Sequence, residues 1–360
     1  KLHPQELAFI LDDCGARWIF VDGHWAAAMP PCAADVRVIE FAAHEYHRLL
    51  SGEALAPPPA TDGHPPAWLF YTSGTTGRPK GVVITHANLD AMSASFVRDV
   101  EAVEPGDAIL HPAPLSHGSG LYVVPHVAHG AINVIPESGG FDAAEIAMLM
   151  SNWNRALFFA APTMVKRLVR SPALAGASLE RLKCIVFGGG PMYVADCREA
   201  FAALGPRLAQ IYGQGESPMT ITAMNRATLA DAIARNDDAR LASVGTAQSG
   251  VELRIAGAHA ADSGVPGEVL VRGPAVMRGY WNNPAASTAA LAEGWLHTGD
   301  VGTLDAGGFL TLKDRSKDLI ISGGSNIYPR EVEEVLQRHP RVAEVAVVGR
   351  PHADWGEEVI

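Results

Sequence analysis

Eleven consecutive residues carry the densest chemistry in this chain: Tyr71-Thr72-Ser73-Gly74-Thr75-Thr76-Gly77-Arg78-Pro79-Lys80-Gly81. They hold four serine and threonine hydroxyls, three glycines and two cations. Glycine lets backbone N–H groups turn inward and approach a ligand closely. The hydroxyls add neutral donors, and Arg78 and Lys80 add positive charge. That combination suits a polyphosphate, which offers many acceptor oxygens and several negative charges. The pattern differs from the common P-loop, which ends in Gly-Lys followed by Ser or Thr. Here Pro79 precedes the lysine and Gly81 follows it. Composition alone would also fit a flexible polar surface loop.

Other segments carry compatible chemistry. Gly188-Gly189-Gly190-Pro191 follows an apolar run and opens a helical pattern, so three glycines can present a flat backbone wall. Tyr212-Gly213-Gln214-Gly215-Glu216 combines an aromatic with, four residues on, a carboxylate. Trp295-Leu296-His297-Thr298-Gly299-Asp300 ends on a carboxylate with capacity for at least two hydrogen bonds, although an aspartate after glycine also suits a plain turn. Asp314-Arg315 follows, and Gly267 to Trp281 includes Arg278-Gly279-Tyr280-Trp281.

These segments, in this order, resemble the adenylate-forming (AMP-binding) superfamily, and the resemblance covers nearly the whole chain. It implies binding of ATP. Thr72, Ser73, Gly74, Thr75, Thr76, Gly77 and Lys80 would hold phosphates, and Gly188, Gly189, Gly190 and Pro191 would cover one face of adenine. Tyr212 would stack on the other face, Gly213, Gln214 and Gly215 would bind the nucleotide with it, and Glu216 would hold Mg²⁺. Asp300 and Arg315 would reach the ribose, and Lys317 would be an interdomain hinge. The superfamily usually has threonine where this chain has Gly215. Gly267 to Trp281 looks structural. Relatives begin earlier and continue further, and the later part supplies a catalytic lysine with no counterpart here. The resemblance thus implies a fragment lacking the first part of the N-terminal domain and most of the C-terminal domain.

Pro114-Leu115-Ser116-His117-Gly118-Ser119-Gly120 resembles the acyl-CoA synthetase branch at the acyl pocket. Amino-acid-activating relatives place an aspartate in this region, and none lies between Leu110 and Val124. A substrate ammonium would be left unpaired there, at a high desolvation cost. The implied substrate is a carboxylic acid without an α-amino group. The implied activity is an acid–thiol ligase: carboxylate attacks the α-phosphorus of ATP, pyrophosphate leaves, and coenzyme A takes the acyl group as AMP departs. Glu216, His117 and Thr72 are the candidate catalytic residues, and Gly323 and Gly324 would lie near the thiol channel. A non-catalytic nucleotide- or acyl-binding homologue, an adenylating enzyme serving a carrier-protein thiol, and a phosphotransferase using the glycine loop are the alternatives.

The elements that must position these residues follow from periodicity. Leu7, Ile10 and Leu11 mark a helix over 4–13, and Trp18 to Val21 a strand. Strand-like runs at 131–135, 156–159, 184–187 and 208–212 alternate with helical stretches at 143–150, 163–169 and 195–204. Such alternation predicts an α/β fold of mostly parallel sheets with flanking helices. Short strands at 251–255, 268–271 and 309–312, with a helix at 284–291, predict a small β-rich subdomain. A strand at 319–321, a Gly323-Gly324 turn, a helix over 329–337 and a strand over 342–348 predict the start of an α+β C-terminal domain. The domains are expected at 1–243, 244–315 and 316–360.

Composition is consistent with that class. The chain has 360 residues, 48% hydrophobic and only 19% charged, ample for a core. Its net charge of -11 argues against a polynucleotide partner, which would need a basic face. Four cysteines show neither paired nor zinc spacing, so reduced thiols in a cytoplasmic protein are expected. No apolar run is long enough to span a bilayer.

Overall fold

The computed structural model describes residues 3–30, 36–56, 62–72, 78–257, 264–315, 319–322, 325–339, 341–342, 344–352 and 355–360. Packing groups residues 1–88 with 277–289, and residues 89–276 with 290–360.

In the first group, the helix Pro4–Cys14 starts on a capping box: the His3 side chain accepts from Gln5 N, and Glu6 accepts from His3 N. It ends at Gly15 in the left-handed conformation, φ 64°. Strand Trp18–Val21 pairs in parallel with Arg37–Glu40. A three-stranded antiparallel sheet runs in the order Gly279–Tyr280, Lys80–Thr85, Pro66–Thr72. Thr72 lies opposite Lys80, at the ends of the two paired strands that flank residues 73–77. These strands are braced on the first helix. Tyr71 Oη donates to Asp13 Oδ2 at 2.6 Å, and Trp281 Nε1 donates to the Asp13 carbonyl at 2.9 Å. Burial, then this hydrogen bond, pushes the Tyr71 phenol up, so it stays protonated as the donor.

The second group is built on a seven-stranded sheet. Its order is Thr246–Ala247, Ser217–Met224, Leu208–Gln214, Leu182–Phe187, Ala156–Ala160, Ala108–Leu110, Ile132–Val134. The last five pair in parallel, and Ser217–Met224 turns back antiparallel. Every residue of Ala156–Ala160 is buried, as expected for a parallel strand covered on both faces. Helices Ala143–Asn152, Pro162–Val169 and Val194–Leu204 close one face, packing Ile146, Met150, Val165, Leu168 and Leu204 against Phe158, Ile185 and Phe187. Pro162 opens its helix at the first position, where no N–H is needed. A four-stranded antiparallel sheet follows, ordered Glu252–Ile255, Gly267–Arg272, Leu296–Leu304, Leu310–Arg315. Among the described residues, parallel pairing thus runs from Leu208–Gln214 to the edge strand Ile132–Val134 of the large sheet, and joins the pair at 18–21 and 37–40.

The last stretch forms a second four-stranded antiparallel sheet, ordered Ser325–Ile327, Ile320–Ser322, Gly356–Val359, Gly349–His352, with the helix Pro329–Gln337. Ser322 lies opposite Ser325, and Gly323 and Gly324 between them fall outside the described residues. The strand expected over 342–348 does not form among its described residues. The N–H of Val347 is taken by the Glu333 carboxylate at 2.9 Å; Val348 exchanges backbone hydrogen bonds with Ile360, at 3.1 and 2.9 Å, and the strand ladder runs from Gly349.

Candidate functional site

The site is assembled at the carboxyl ends of the parallel strands, where open α/β sheets place ligands. Strand Leu182–Phe187 runs straight into Gly188-Gly189-Gly190. A Cβ on Gly188 would lie 2.5 Å from the carbonyl oxygen of Ile211 on the next strand, and Gly189 adopts φ 76°. Both positions therefore require glycine. The neighbouring strand Leu208–Gln214 delivers Tyr212 and Gln214 beside this wall. Gly213 lets the hairpin bulge past it: a Cβ there would lie 2.6 Å from the backbone of Met219. Gly215 and Glu216 form the two-residue turn into Ser217–Met224, and Glu216 is half-buried.

Three side chains meet over this wall. Tyr212 Oη donates to Asp300 Oδ2 at 2.5 Å, and Gln214 Nε2 donates to the same oxygen at 2.7 Å and to the Thr298 carbonyl at 2.9 Å. Tyr212 and Asp300 are each 8% exposed, so the carboxylate is held in a largely desolvated place by neutral donors. A carboxylate accepts roughly four hydrogen bonds, and these are two of them. The turn carrying Asp300 is fixed from the adjoining strand: Glu268 accepts from Gly299 N and from His297 Nδ1, each at 2.9 Å. Thr298 Oγ1 donates to the Val269 carbonyl at 2.7 Å and accepts from Asp300 N at 3.1 Å. The backbone of Arg315 lies in register with Asp300; its side chain is outside the described residues.

Around these groups is a cavity of about 650 Å³, lined by Gly189, Gly190, Pro191, Tyr212, Gln214 and Asp300. The helix Pro329–Gln337 forms another wall through Pro329, Arg330 and Glu333. This helix is docked by its glutamates. Glu333 accepts from Tyr193 Oη at 2.8 Å, Glu334 from Val194 N at 3.3 Å, and Glu331 pairs with Lys313 at 2.6 Å. Burial, then the Glu333 contact, pushes the Tyr193 phenol up, which keeps it a donor. The arrangement can take a flat ring against glycine backbone and a vicinal diol against a carboxylate.

His117 is exposed at the head of the short helix Gly118–Leu121, with Ser116 Oγ 2.9 Å from its Nδ1. Its turn and the glycine wall share one neighbour. A Cβ on Gly118 would lie 3.0 Å from Phe159 Cε1, and one on Gly189 would lie 3.8 Å from Phe159 Cζ, so that ring bridges the two. Ser119 is tied to His111 Nδ1 at 2.9 Å, and His111 Nε2 lies 2.8 Å from Asn133 Oδ1. Burial depresses the His111 pKa and keeps the ring neutral.

Thr72 and Lys80 sit at the ends of the two paired strands described above; Ser73, Gly74, Thr75, Thr76 and Gly77 lie outside the described residues, as does Lys317. Among the described residues no three or more His, Cys, Asp or Glu side chains form a metal-holding group. Among them, too, no helix is long and apolar enough to cross a membrane, and Cys14, Cys184 and Cys197 are free thiols. Burial pushes the Cys197 thiol up to about 12.

The family model described as AMP-binding enzyme matches residues 1–281, and the one described as AMP-binding enzyme C-terminal domain matches 331–360. The chain belongs to the AMP-binding enzyme family. This AMP-binding enzyme is 34% identical over 293 residues to the medium/long-chain-fatty-acid–CoA ligase FadD8 of Mycobacterium tuberculosis, covering 81% of this chain and 50% of that protein. It is 36% identical over 375 residues to the indoleacetate–CoA ligase of Aromatoleum aromaticum, covering 100% of this chain and 71% of that protein. The solved amide bond synthetase McbA from Marinactinospora thermotolerans superposes with a TM-score of 0.86 at 29% identity, over 99% of this chain and 71% of that one. The chain therefore spans half to about seven-tenths of the length of these relatives.

Residues outside the expected set complete the site. Glu268 and Thr298 orient Asp300, Arg330 and Glu333 wall the cavity, and Tyr193 holds the Glu333 carboxylate. The sequence signal for the last group is the acidic run Glu331, Glu333, Glu334 on a helix following the glycine-rich segment.

Proposed function

We propose that this chain activates a carboxylic acid with ATP to an acyl-adenylate and passes the acyl group to coenzyme A, as an AMP-forming acid–thiol ligase. The observation that carries the reading is the convergence of Tyr212 and Gln214 on Asp300 in a cavity walled by Gly189 and Gly190. In this reading the adenine lies between the glycine wall and the Tyr212 ring, and the ribose hydroxyls donate to Asp300. The domain division at 1–243, 244–315 and 316–360 belongs to the same reading.

The chemistry asks for positioning and charge stabilisation, since the transition state spreads negative charge over phosphate oxygens. In this reading Thr72, Ser73, Thr75, Thr76 and Lys80 hold the β- and γ-phosphates, and the strands ending at Thr72 and starting at Lys80 are locked to the first helix through Tyr71 and Asp13. Glu216 is the residue that would hold Mg²⁺. One carboxylate fits that ion, which takes one or two carboxylates and completes its shell with phosphate oxygens and water. When bound, the ion neutralises phosphate charge. His117 and Gly118 border the acyl group, with Phe159 between that turn and the adenine wall. No aspartate lies between Leu110 and Val124, which supports an acid without an α-amino group. Arg330 and Glu333 line the same cavity, so in this reading the C-terminal segment faces the nucleotide.

The names of the fatty-acid and indoleacetate ligases support coenzyme A as acceptor; the similarity to an amide bond synthetase supports the adenylation step equally well with another acceptor. The test is pyrophosphate release across a panel of carboxylic acids, with the nucleotide product resolved. Acid-dependent pyrophosphate and AMP, with an acyl thioester on adding coenzyme A, is the expected result. ADP as product supports a phosphotransferase, and nucleotide binding with no turnover on any acid supports a non-catalytic homologue.

A further inference from the structure

The segment Arg278 to Trp281 is a family-like stretch with no obvious chemistry, yet it packs onto the exit of the phosphate turn. Gly279 pairs with Val83 and Tyr280 with Val82, and Trp281 N donates to the Gly81 carbonyl at 2.7 Å. On an antiparallel ladder, Tyr280 opposite Val82 shares a face with Lys80, its diagonal neighbour, within reach of an aromatic ring. The Lys80 ammonium indeed lies over the Tyr280 ring, 5.0 Å from its centroid.

The ring is set in place by a local lock. Gly279 adopts φ 149°, and a Cβ there would lie 3.0 Å from Ser287 Oγ. Ser287 Oγ accepts from Tyr280 N at 2.8 Å and donates to the Asn283 carbonyl at 2.8 Å. The helix Pro284–Ala290 thereby fixes the backbone of the short strand that presents the ring. A lysine at a loop exit otherwise samples many rotamers on its flexible stem.

We propose that Tyr280 is a positioning residue: its ring face holds the Lys80 ammonium at the mouth of the turn, ready to meet the terminal phosphates of ATP. The inference rests on the reading of residues 72–80 as a phosphate-binding turn. A cation over a ring keeps N–H groups available to an anion, so nucleotide binding need not first order the side chain.

The test compares ATP with AMP, which lacks the β- and γ-phosphates, by calorimetry on the whole chain. Tyr280→Leu should weaken ATP by about fivefold, the worth of one partly exposed cation–π contact, and leave AMP within about twofold. Tyr280→Phe, which keeps the ring face, should bind both as the wild type does. In a Lys80→Ala background, Tyr280→Leu should add nothing. Equal weakening of ATP and AMP makes Tyr280 merely structural and overturns the proposal. A Tyr280→Leu affinity for ATP at or above wild type, with Lys80→Ala weakened, overturns it alone. Unchanged ATP affinity in Lys80→Ala overturns the phosphate-turn reading and this inference with it. A measurement on the unmodified protein guards against misfolding of the leucine variant. With ¹³C-labelled lysine, the ε-methylene resonance lost in Lys80→Arg should be shifted upfield by the ring current, and an unshifted resonance contradicts the contact.

Discussion

Removing the carboxylate of Asp300 should expose the logic of the nucleotide cavity. Asp300→Ala deletes the acceptor for Tyr212 at 2.5 Å and for Gln214 at 2.7 Å. Gln214 retains the Thr298 carbonyl at 2.9 Å, while the Tyr212 hydroxyl, on a residue 8% exposed, loses this charged acceptor. That loss should cost about 1–3 kcal/mol of stability, read as a lower urea midpoint with an unchanged slope. Lost hydrogen bonds from the ribose should weaken nucleotide by about 1–3 kcal/mol, or about 5–150-fold at 25 °C. ATP and AMP carry the same ribose, so calorimetry should show the same factor for both. Tyr212→Phe keeps the ring and removes one donor, and should lower stability by about 1 kcal/mol with a loss of affinity under about threefold. A cooperatively folded Asp300→Ala protein that binds both nucleotides like the wild type refutes the ribose assignment, and a loss confined to ATP moves Asp300 to the phosphates.

Three further outcomes are expected. Glu216→Gln keeps the size but removes the negative charge, and in the full-length protein should cut Mg²⁺-dependent pyrophosphate release by about 100-fold with an unchanged melting temperature; an unchanged rate removes Glu216 from the metal. Gly188→Ala places a methyl 2.5 Å from the Ile211 carbonyl and should cost about 1–3 kcal/mol, whereas Gly190→Ala, whose nearest atom would be 3.7 Å away, should melt near wild type; equal melting temperatures would contradict the packing of the wall. Burial pushes the His126 pKa down to about 4, so the folded state refuses a proton that the unfolded state takes up below about 6.5. Its contribution is complete above that value and is lost as pH falls, by about 2 kcal/mol at pH 5; His126→Gln should flatten the decline in urea stability from pH 7 to 5 by about that amount, and an identical decline would refute it.

Much of the site was legible because its residues are adjacent in sequence to the elements that deliver them. Gly188 to Gly190 follow a strand of apolar residues, and Tyr212 ends another, so each could be placed from the chain alone. Asp300 stood out at the end of its turn, but Glu268 and Thr298, which aim it, act across a strand pair about thirty residues away, and no local pattern announces a cross-strand acceptor. Asp13 and Tyr71 meet over 58 residues, and Lys80 meets Tyr280 over a longer gap. The valines at 342, 345, 347 and 348 give this segment the β-branched composition of a strand, yet the Glu333 side chain takes the Val347 amide. Side-chain capture of a backbone group is a tertiary event that periodicity does not record.

The central claim is that one nucleotide occupies the cavity between the glycine wall and Tyr212. A crystal structure with AMP tests it most directly. The account predicts the adenine against Gly189 and Gly190 on one face and the Tyr212 ring on the other, with both ribose hydroxyls within hydrogen-bond distance of Asp300. AMP bound elsewhere, with the Tyr212–Asp300 pair untouched, would contradict it.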